Sequence, residues 1–491
     1  MSFNSFIFFI YLAVVFLVFR WLPSRRARVI FLLVMSYIFY GYWDWRFTSL
    51  IAVSTAIDYT IGLKLERTED RKKRKRFLLI SCAANLGILA VFKYCNFFIG
   101  SVQALAGLFG LKLGVPELRL ALPLGISFYT FKTLSYTIDV YRRRLNPTHS
   151  FLDYALFVSF FPNLVAGPIE RAGKLLPQIA DLKKPSRMQV REGLLLITIG
   201  LFKKVLIGDA AGRIVENIFG QPELYRSPEL LAGLILFSLQ IYADFGGYSN
   251  IARGVAKMFG IELIKNFEQP YLARSFSEFW RRWHISLSAW IWDYVFNPLM
   301  SACLRFLGRW KIGDSQRELR IAYACAALPT MFLCGLWHGA GYTYLIWGGL
   351  HGLFLTVERL YIYRGKSIQK WTRIRNPRSL ARFLARIAST QILVLSAWLI
   401  FRARSLDQAW YFLRQFIHWQ GSDLTGRFAV MVLVFSLAVL AIDVAEYLSR
   451  SEVWLLNFRP AVVAGICAAV LIVVGLYMAT TTPQPFVYSQ Y

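Results

Sequence analysis

The sequence IAYACAALPTMFLCGLWHGA, residues 321–340, combines a long apolar stretch with a histidine near its end. Residues 321–337 contain no Asp, Glu, Lys or Arg, and they approach the roughly 20 residues that a helix needs to cross about 30 Å of hydrocarbon. Similar stretches recur along the chain, in which 56% of the residues are hydrophobic and only 17% are charged. The sequence therefore predicts a helical membrane protein rather than several soluble domains.

We expect one polytopic membrane domain over residues 1–491, with an all-α fold of about eleven to thirteen membrane-crossing helices. Three shorter apolar pieces, near 101–113, 151–169 and 285–300, are predicted to be re-entrant or interfacial. The two prolines of Phe161–Pro168 should interrupt a helix. The predicted crossings lie near residues 5–20, 29–44, 49–65, 77–98, 121–140, 190–208, 229–245, 321–337, 342–360, 387–402, 428–448 and 461–481.

The basic residues of the chain predict its orientation in the membrane. Lys and Arg number 56 against 28 Asp and Glu, which gives a net charge of +28 and in a soluble chain would suggest nucleic-acid binding. Here they lie between apolar stretches, as in cytoplasmic loops that face anionic lipid, so we expect no nucleic-acid partner. The basic groups at 20–28, 71–76 and 142–144 fall on one side of the predicted helices. They are predicted to be cytoplasmic loops.

His338 is the strongest candidate for catalysis among the five histidines. Ionisable groups inside membrane segments are costly and are retained mainly for function. The flanking glycines, Gly335 and Gly339, allow another helix or a substrate to approach closely. An imidazole of near-neutral pKa can take a proton from a hydroxyl group, as acyl transfer to an alcohol requires. A buried histidine that only bonds a neighbouring helix would fit the same pattern.

His284 is the second candidate. If residues 280–288 form one helix, Trp280, His284 and Ser288 share a face at i, i+4 spacing, with Arg281 beside Trp280. An aromatic wall, an imidazole and a hydroxyl would then lie side by side. A structural girdle of Trp and Arg at the membrane interface would explain the same composition.

Other polar residues allow weaker predictions. Asp244, at the end of an apolar stretch, could orient a histidine, line a polar tunnel or cap a helix. His351 follows His338 by thirteen residues, so the two would face differently on one straight helix. Two further histidines, His149 and His418, are interpreted as surface residues. No compact metal-ligand set, no C-x-x-C pair and no G-x-S-x-G motif occurs, so we predict no metal site, no disulfide framework and no serine nucleophile.

The sequence resembles the membrane-bound O-acyltransferase family, in particular its bacterial branch for alginate O-acetylation. The resemblance extends over most of the chain to about residue 402 and has its core motifs near 120–360, with C-terminal transmembrane helices over 385–491. The matching segments, in chain order, are Leu122–Phe131, Leu134–Arg142, Phe161–Pro168, Asp244–Ser249, Asn266–Tyr271, Phe279–Ser288 and Gly335–Ala340.

This resemblance implies an acyltransferase with a ring of transmembrane helices around a central tunnel. His338 would be the catalytic histidine and His284 a second functional one, which would hold or polarise the acyl donor. The candidates for the tunnel and substrate contacts are Trp337, Trp280, Arg281, Trp283, Ser288, Asp244 and Asn266. No cofactor would be bound.

The same resemblance implies the reaction partners. Acetyl-CoA would enter from the cytoplasm as the acyl donor. The acetyl group would reach an exported or cell-surface polysaccharide (an exopolysaccharide) through a partner acetyltransferase outside the bacterial cytoplasmic (inner) membrane. Two alternatives stay open: transfer of D-alanine from a carrier protein, as in teichoic-acid modification, and a transmembrane conduit or scaffold without chemistry.

Overall fold

The computed structural model describes residues 1–116, 118, 120–309, 315–362, 377–482 and 484–489. Every regular element within these ranges is helical, which confirms the predicted all-α fold. Within the described part of the chain, six helices are long and apolar enough to cross a membrane: Arg71–Leu108, Ser227–Met258, Ser315–His338, Leu380–Arg402, Thr425–Ser449 and Pro460–Thr480. The other predicted crossings fall on shorter or less apolar helices, so the predicted number of crossings stays a prediction.

The chain forms two compact units that are interleaved in sequence. The first contains Met1–Leu201, Tyr248–Ile264 and Phe458–Gln490, and the second contains Phe202–Gly247 and Lys265–Asn457. The single domain expected over residues 1–491 stays a prediction. Each unit is described by itself.

The first unit has a polar centre between three of its helices. The Asp58 carboxylate accepts hydrogen bonds from Ser81 (2.5 Å), Asn85 (2.8 Å) and Thr137 (3.3 Å), and all four residues are buried. These bonds satisfy the carboxylate where water is scarce. The α-helices of this unit are Phe6–Trp21, Arg25–Asp44, Thr48–Arg67, Arg71–Leu89, Cys95–Leu108, Ile126–Tyr141, Phe151–Ser159, Ala172–Ala180, Arg187–Leu201 and Pro460–Thr480.

Two segments of this unit test predictions about loops. The basic run 71–76 was expected to be a loop, and this is wrong: it forms the first turns of a helix that Asp70 caps. Within it, the buried guanidinium of Arg74 donates to the carbonyl ends of two other helices, including Tyr141 O at 2.8 Å. The break predicted within Phe161–Pro168 is confirmed, because the helix Phe151–Ser159 ends there and only a short 3-10 turn, Phe161–Asn163, follows.

The second unit contains the three buried histidines. Its α-helices are Ala210–Gly220, the first part of Ser227–Met258, Phe276–Arg282, Ile285–Ile291, Asn297–Gly308, Ser315–His338, Tyr342–Val357, Pro377–Arg402, Leu406–Ile417 and Thr425–Ser449. Glycines let Ser315–His338 and Tyr342–Val357 pack closely. A Cβ on Gly335 would lie 2.1 Å from Tyr344 O, and one on Gly348 would lie 2.2 Å from Met331 O. The close approach expected at Gly335 is therefore made by a neighbouring helix.

Candidate active site

His284 lies at a break between two short helices. The helix Phe276–Arg282 ends before it, Ile285–Ile291 begins after it, and His284 itself has a left-handed backbone with φ 42°. The single helix expected over residues 280–288 is therefore wrong. The segment around Asn266 pairs with this break: Ile285 N–H donates to Asn266 O and Glu268 N–H donates to Arg282 O, both at 2.9 Å. These bonds offset a left-handed conformation that costs on the order of 1–2 kcal/mol.

The side chain of Asn266 orients His284. Its Oδ1 accepts from Ser286 Oγ at 2.8 Å and from Ser286 N at 3.2 Å, and it lies 3.2 Å from His284 Nδ1. An oxygen that accepts in this way assigns a proton to Nδ1 of the imidazole. Burial lowers the pKa of His284, so the ring is neutral and carries the lone pair on Nε2. His284 is therefore oriented as a proton acceptor.

His338 is the last residue of its helix, and aromatic rings surround it. It is 4% exposed, and its ring centroid lies 4.8 Å from Trp337, 4.9 Å from Trp347 and 5.5 Å from Phe401. The Trp337 ring lies 5.8 Å from His284. The structure thus brings both predicted histidines close to the Trp337 indole, although they are 54 residues apart along the chain.

The third buried histidine, His351, belongs to the same aromatic cluster. Its Nδ1 accepts a hydrogen bond of 3.0 Å from Trp280 Nε1, and its ring lies 4.3 Å from Trp347. His338 ends the helix Ser315–His338 and His351 lies in the helix Tyr342–Val357, so the comparison of their faces on one straight helix does not apply. Trp347 nevertheless contacts both rings, so His351 belongs with the candidate site.

A cavity of about 810 Å³ adjoins this cluster. Of the predicted tunnel residues, Trp280, Arg281 and Ser288 line it. Cys334, one helical turn before His338, also lines it, whereas neither His284 nor His338 is among its lining residues. The cavity therefore reaches the His338 helix one turn before the histidine.

The charge of the cavity wall has one sign. Arg281, Arg320 and Arg359 line it, and no Asp or Glu of the described residues does. None of the three arginines forms an ion pair with a carboxylate of the described residues, although Arg359 lies over the Tyr323 ring at 5.9 Å. Such a wall favours an anionic ligand, because guanidinium groups bind phosphate and carboxylate oxygens well.

Asp244 lies inside the helix Ser227–Met258 and forms an ion pair. Its carboxylate contacts the ammonium of Lys204, which also lies 2.6 Å from Asp209 Oδ1. Gly208 has no side chain and so allows the two helices to pack closely at Asp244, because a Cβ on Gly208 would lie only 3.0 Å from Asp244 N. Asp244 thus belongs to a buried charge network, and its predicted contact with a substrate tunnel stays a prediction.

The second unit contains another buried ion pair, close to the aromatic rings around Trp283. Lys203 Nζ lies 3.1 Å from Glu446 Oε1, and Tyr242 Oη donates to Asp443 at 2.7 Å. The Tyr242 ring lies 6.2 Å from Trp283, which is a predicted tunnel residue that here packs among aromatic rings. These charged groups connect helices in the interior of the unit.

Sequence reasoning missed several residues of this region. Lys203, Asp443 and Glu446 lie within predicted apolar crossings, and that position is itself a signal of importance. Arg320 and Arg359 gave no such signal, because arginines near helix ends are common in membrane proteins. His351 was noticed, but its partner Trp280 lies 71 residues away along the chain and could not be identified from spacing.

Comparison with known proteins places the fold and the site in context. The model of the membrane-bound O-acyltransferase family matches residues 38–398. A probable alginate O-acetylase of Pseudomonas aeruginosa is 36% identical over 428 residues, 86% of this chain and 77% of the relative. The peptidoglycan O-acetyltransferase of Helicobacter pylori is 32% identical over 422 residues, 80% and 75% of the two chains. The teichoic acid D-alanyltransferase of Bacillus subtilis is 30% identical over 265 residues, 51% and 64%.

Proposed function

Because the chain belongs to the membrane-bound O-acyltransferase family and is an O-acyltransferase, we propose that it moves acetyl groups from cytoplasmic acetyl-CoA to an extracytoplasmic polysaccharide. A partner acetyltransferase would complete the transfer outside the cytoplasmic (inner) membrane. The similarity to alginate and peptidoglycan O-acetyltransferases supports an O-acetylation role with a polysaccharide acceptor.

One observation of the structure supports this donor. Among the described residues, the wall of the cavity beside the histidine cluster contains three arginines and no acidic residue. Acetyl-CoA is an anion with several phosphate charges and a long, thin arm that ends in the thioester. We propose that Arg281, Arg320 and Arg359 bind its phosphates and that the thioester reaches the wall near Cys334. The volume of about 810 Å³ is within the usual range for small-molecule sites.

His338 would act as the general base. Its imidazole takes the proton of the acceptor hydroxyl while that oxygen forms a bond to the thioester carbonyl carbon. The carbon–sulfur bond then breaks, CoA leaves as the thiolate, and the proton from His338 neutralises the thiolate. Direct transfer of this kind needs no covalent intermediate on the protein.

The orientation of His284 refines its proposed role. Sequence reasoning suggested that this ring holds or polarises the donor. With its proton on Nδ1 directed to Asn266, the ring carries a lone pair on Nε2, which can accept a hydrogen bond but cannot donate one to a carbonyl oxygen. We therefore propose that His284 accepts a hydrogen bond from the attacking hydroxyl, or relays its proton, beside His338.

Substitution of His338 tests the proposal. His338→Ala should lower the acetyl content of surface polysaccharide by at least about 100-fold, because general-base catalysis typically contributes about 10² to 10⁴ in rate. Cells that carry wild type, His338→Ala or no copy are compared by glycan composition, with protein level measured in isolated membranes. His418→Ala is the matched control, since that histidine is exposed in the same unit. Normal acetylation in His338→Ala would favour a conduit or scaffold without chemistry.

The identity of the donor needs a separate measurement. Membranes from cells with and without the gene, which retain the partner acetyltransferase and the polysaccharide, are given radiolabelled acetyl-CoA or a D-alanyl carrier protein, and label in the polysaccharide is counted. The proposal expects transfer from acetyl-CoA alone. Transfer from the carrier alone would replace it with the reaction named for the Bacillus subtilis relative.

A further inference from the structure

The helix Tyr342–Val357 carries a buried histidine that the proposed reaction does not use. His351 is 1% exposed, and its Nδ1 accepts a hydrogen bond of 3.0 Å from Trp280 Nε1. Trp280 belongs to the helix Phe276–Arg282 and lines the cavity. The bond therefore connects a wall of the cavity to a second helix.

The chemistry of this bond fixes the state of the ring. An indole N–H can only donate, so Nδ1 of His351 must be unprotonated and the neutral ring carries its proton on Nε2. Nε2 is buried and has no hydrogen-bond partner among the described residues. An unmet buried donor is unfavourable, so a leucine of similar size would avoid a cost that His351 carries. The acceptor function at Nδ1 gives a reason for a histidine here.

The same ring packs against the indole that contacts His338. Trp347 lies one helical turn before His351, and its ring centroid lies 4.3 Å from His351 and 4.9 Å from His338. The Trp280 ring lies 5.1 Å from His351 and 6.0 Å from Trp347. The orientation of Trp280 is thus coupled through contacts to the surroundings of His338.

We infer that His351 is a positioning residue that fixes the Trp280 indole at the cavity wall and thereby sets where the acyl donor lies relative to His338. The inference rests on the proposed function, because the cavity is taken as the donor site. His351 acts through Trp280 and contributes no proton to the reaction. His351 therefore affects the binding of the acyl donor more than the chemical step.

Two substitutions of matched size separate the hydrogen bond from packing. His351→Asn keeps an acceptor at the position of Nδ1, whereas His351→Leu has a similar volume and no acceptor. His351→Leu should raise the KM for acetyl-CoA about tenfold with kcat within about threefold, and His351→Asn should stay within about threefold of wild type in both. Equal KM values for the two variants would overturn the inference.

Trp280→Phe tests the same bond from the donor side. It should raise the KM for acetyl-CoA as His351→Leu does. The KM of the double variant Trp280→Phe/His351→Leu should be no higher than that of the more impaired single variant. Additive losses would show that the two residues act independently and would contradict the inference.

A spectroscopic measurement decides the hydrogen bond without any activity. In protein labelled with ¹⁵N-tryptophan, the indole proton of Trp280 is assigned by its loss in Trp280→Phe, and its exchange with solvent deuterium is followed. The proton should be protected in wild type and His351→Asn and should exchange at least about tenfold faster in His351→Leu. Equal protection in all three would refute the bond. If the wild-type protein did not use acetyl-CoA, the proposed function would be wrong, but the exchange rate of the Trp280 indole proton would still test the hydrogen bond to His351.

Discussion

The second unit contains two groups of cations that differ in their partners. Lys203 and Lys204 are buried and form ion pairs with carboxylates, whereas the three arginines that line the cavity form no ion pair with a carboxylate of the described residues. A buried ammonium without a partner would be very costly, so each lysine needs its acid for the unit to fold. Arg281 and Arg320 are exposed and Arg359 is half-buried, so these cations do not require a protein partner and can bind an anionic ligand. The presence or absence of a matching acid thus separates structural cations from candidate binding cations.

The largest effect is expected where a matched charge is removed. Lys204→Met leaves Asp244 and Asp209 buried together without their cation, and should lower the free energy of unfolding by about 3–5 kcal/mol. Chemical denaturation in mixed micelles measures this change. The double variant Lys204→Met/Asp244→Asn should recover part of the loss, since it removes one of the two stranded carboxylates. A loss below about 1 kcal/mol in Lys204→Met would show that the network is not the structural element described here.

A smaller effect, of a different kind, is expected at the cavity. Arg320→Met should leave the free energy of unfolding within about 0.5 kcal/mol of wild type, because no protein partner is lost. It should raise the KM for acetyl-CoA about tenfold, which corresponds to the loss of one charge-assisted contact to phosphate. Initial rates in vesicles give KM, and denaturation of the same preparation gives stability.

The control for the cavity is a donor that lacks the phosphates. Acetyl-pantetheine keeps the thioester and its arm, so its KM should be the same in Arg320→Met and wild type. An equal rise for both donors would mean that Arg320 acts through the shape of the cavity and not through charge.

The sequence was sufficient to predict the helical membrane fold, and it identifies His338 as the strongest candidate for catalysis, which stays a prediction. Apolar stretches of crossing length, with a Trp-His-Gly motif at the end of one, carry that information locally. The packing role of Gly335 could also be predicted, because a small residue before a membrane-buried histidine commonly marks a helix contact.

The geometry of His284 could not be predicted in the same way. Trp-Arg-Arg-Trp-His contains no helix breaker, so local propensity favours a continuous helix through residue 284. Hydrogen bonds from the Asn266 segment end the helix instead, and they form only in the folded unit. The pairing of Trp280 with His351 is likewise a tertiary contact with no local pattern. Such contacts override propensity, and a single sequence does not contain their geometry.

The smallest effect is expected for an ion pair that is matched but exposed. Arg402 and Arg404 both lie within 2.8 Å of the Glu216 carboxylate, and the side chains of Glu216 and Arg404 are 55% and 58% exposed, although that of Arg402 is only 10% exposed. Water screens such a pair, so Glu216→Gln should lower the free energy of unfolding by less than about 1 kcal/mol, and raised salt should shrink the difference further. Denaturation at low and high salt, beside Lys204→Met, measures both. If Glu216→Gln lowered the free energy of unfolding as much as Lys204→Met, burial would not determine how strongly an ion pair stabilises the fold. The two groups of cations would then differ only in whether they have a carboxylate partner.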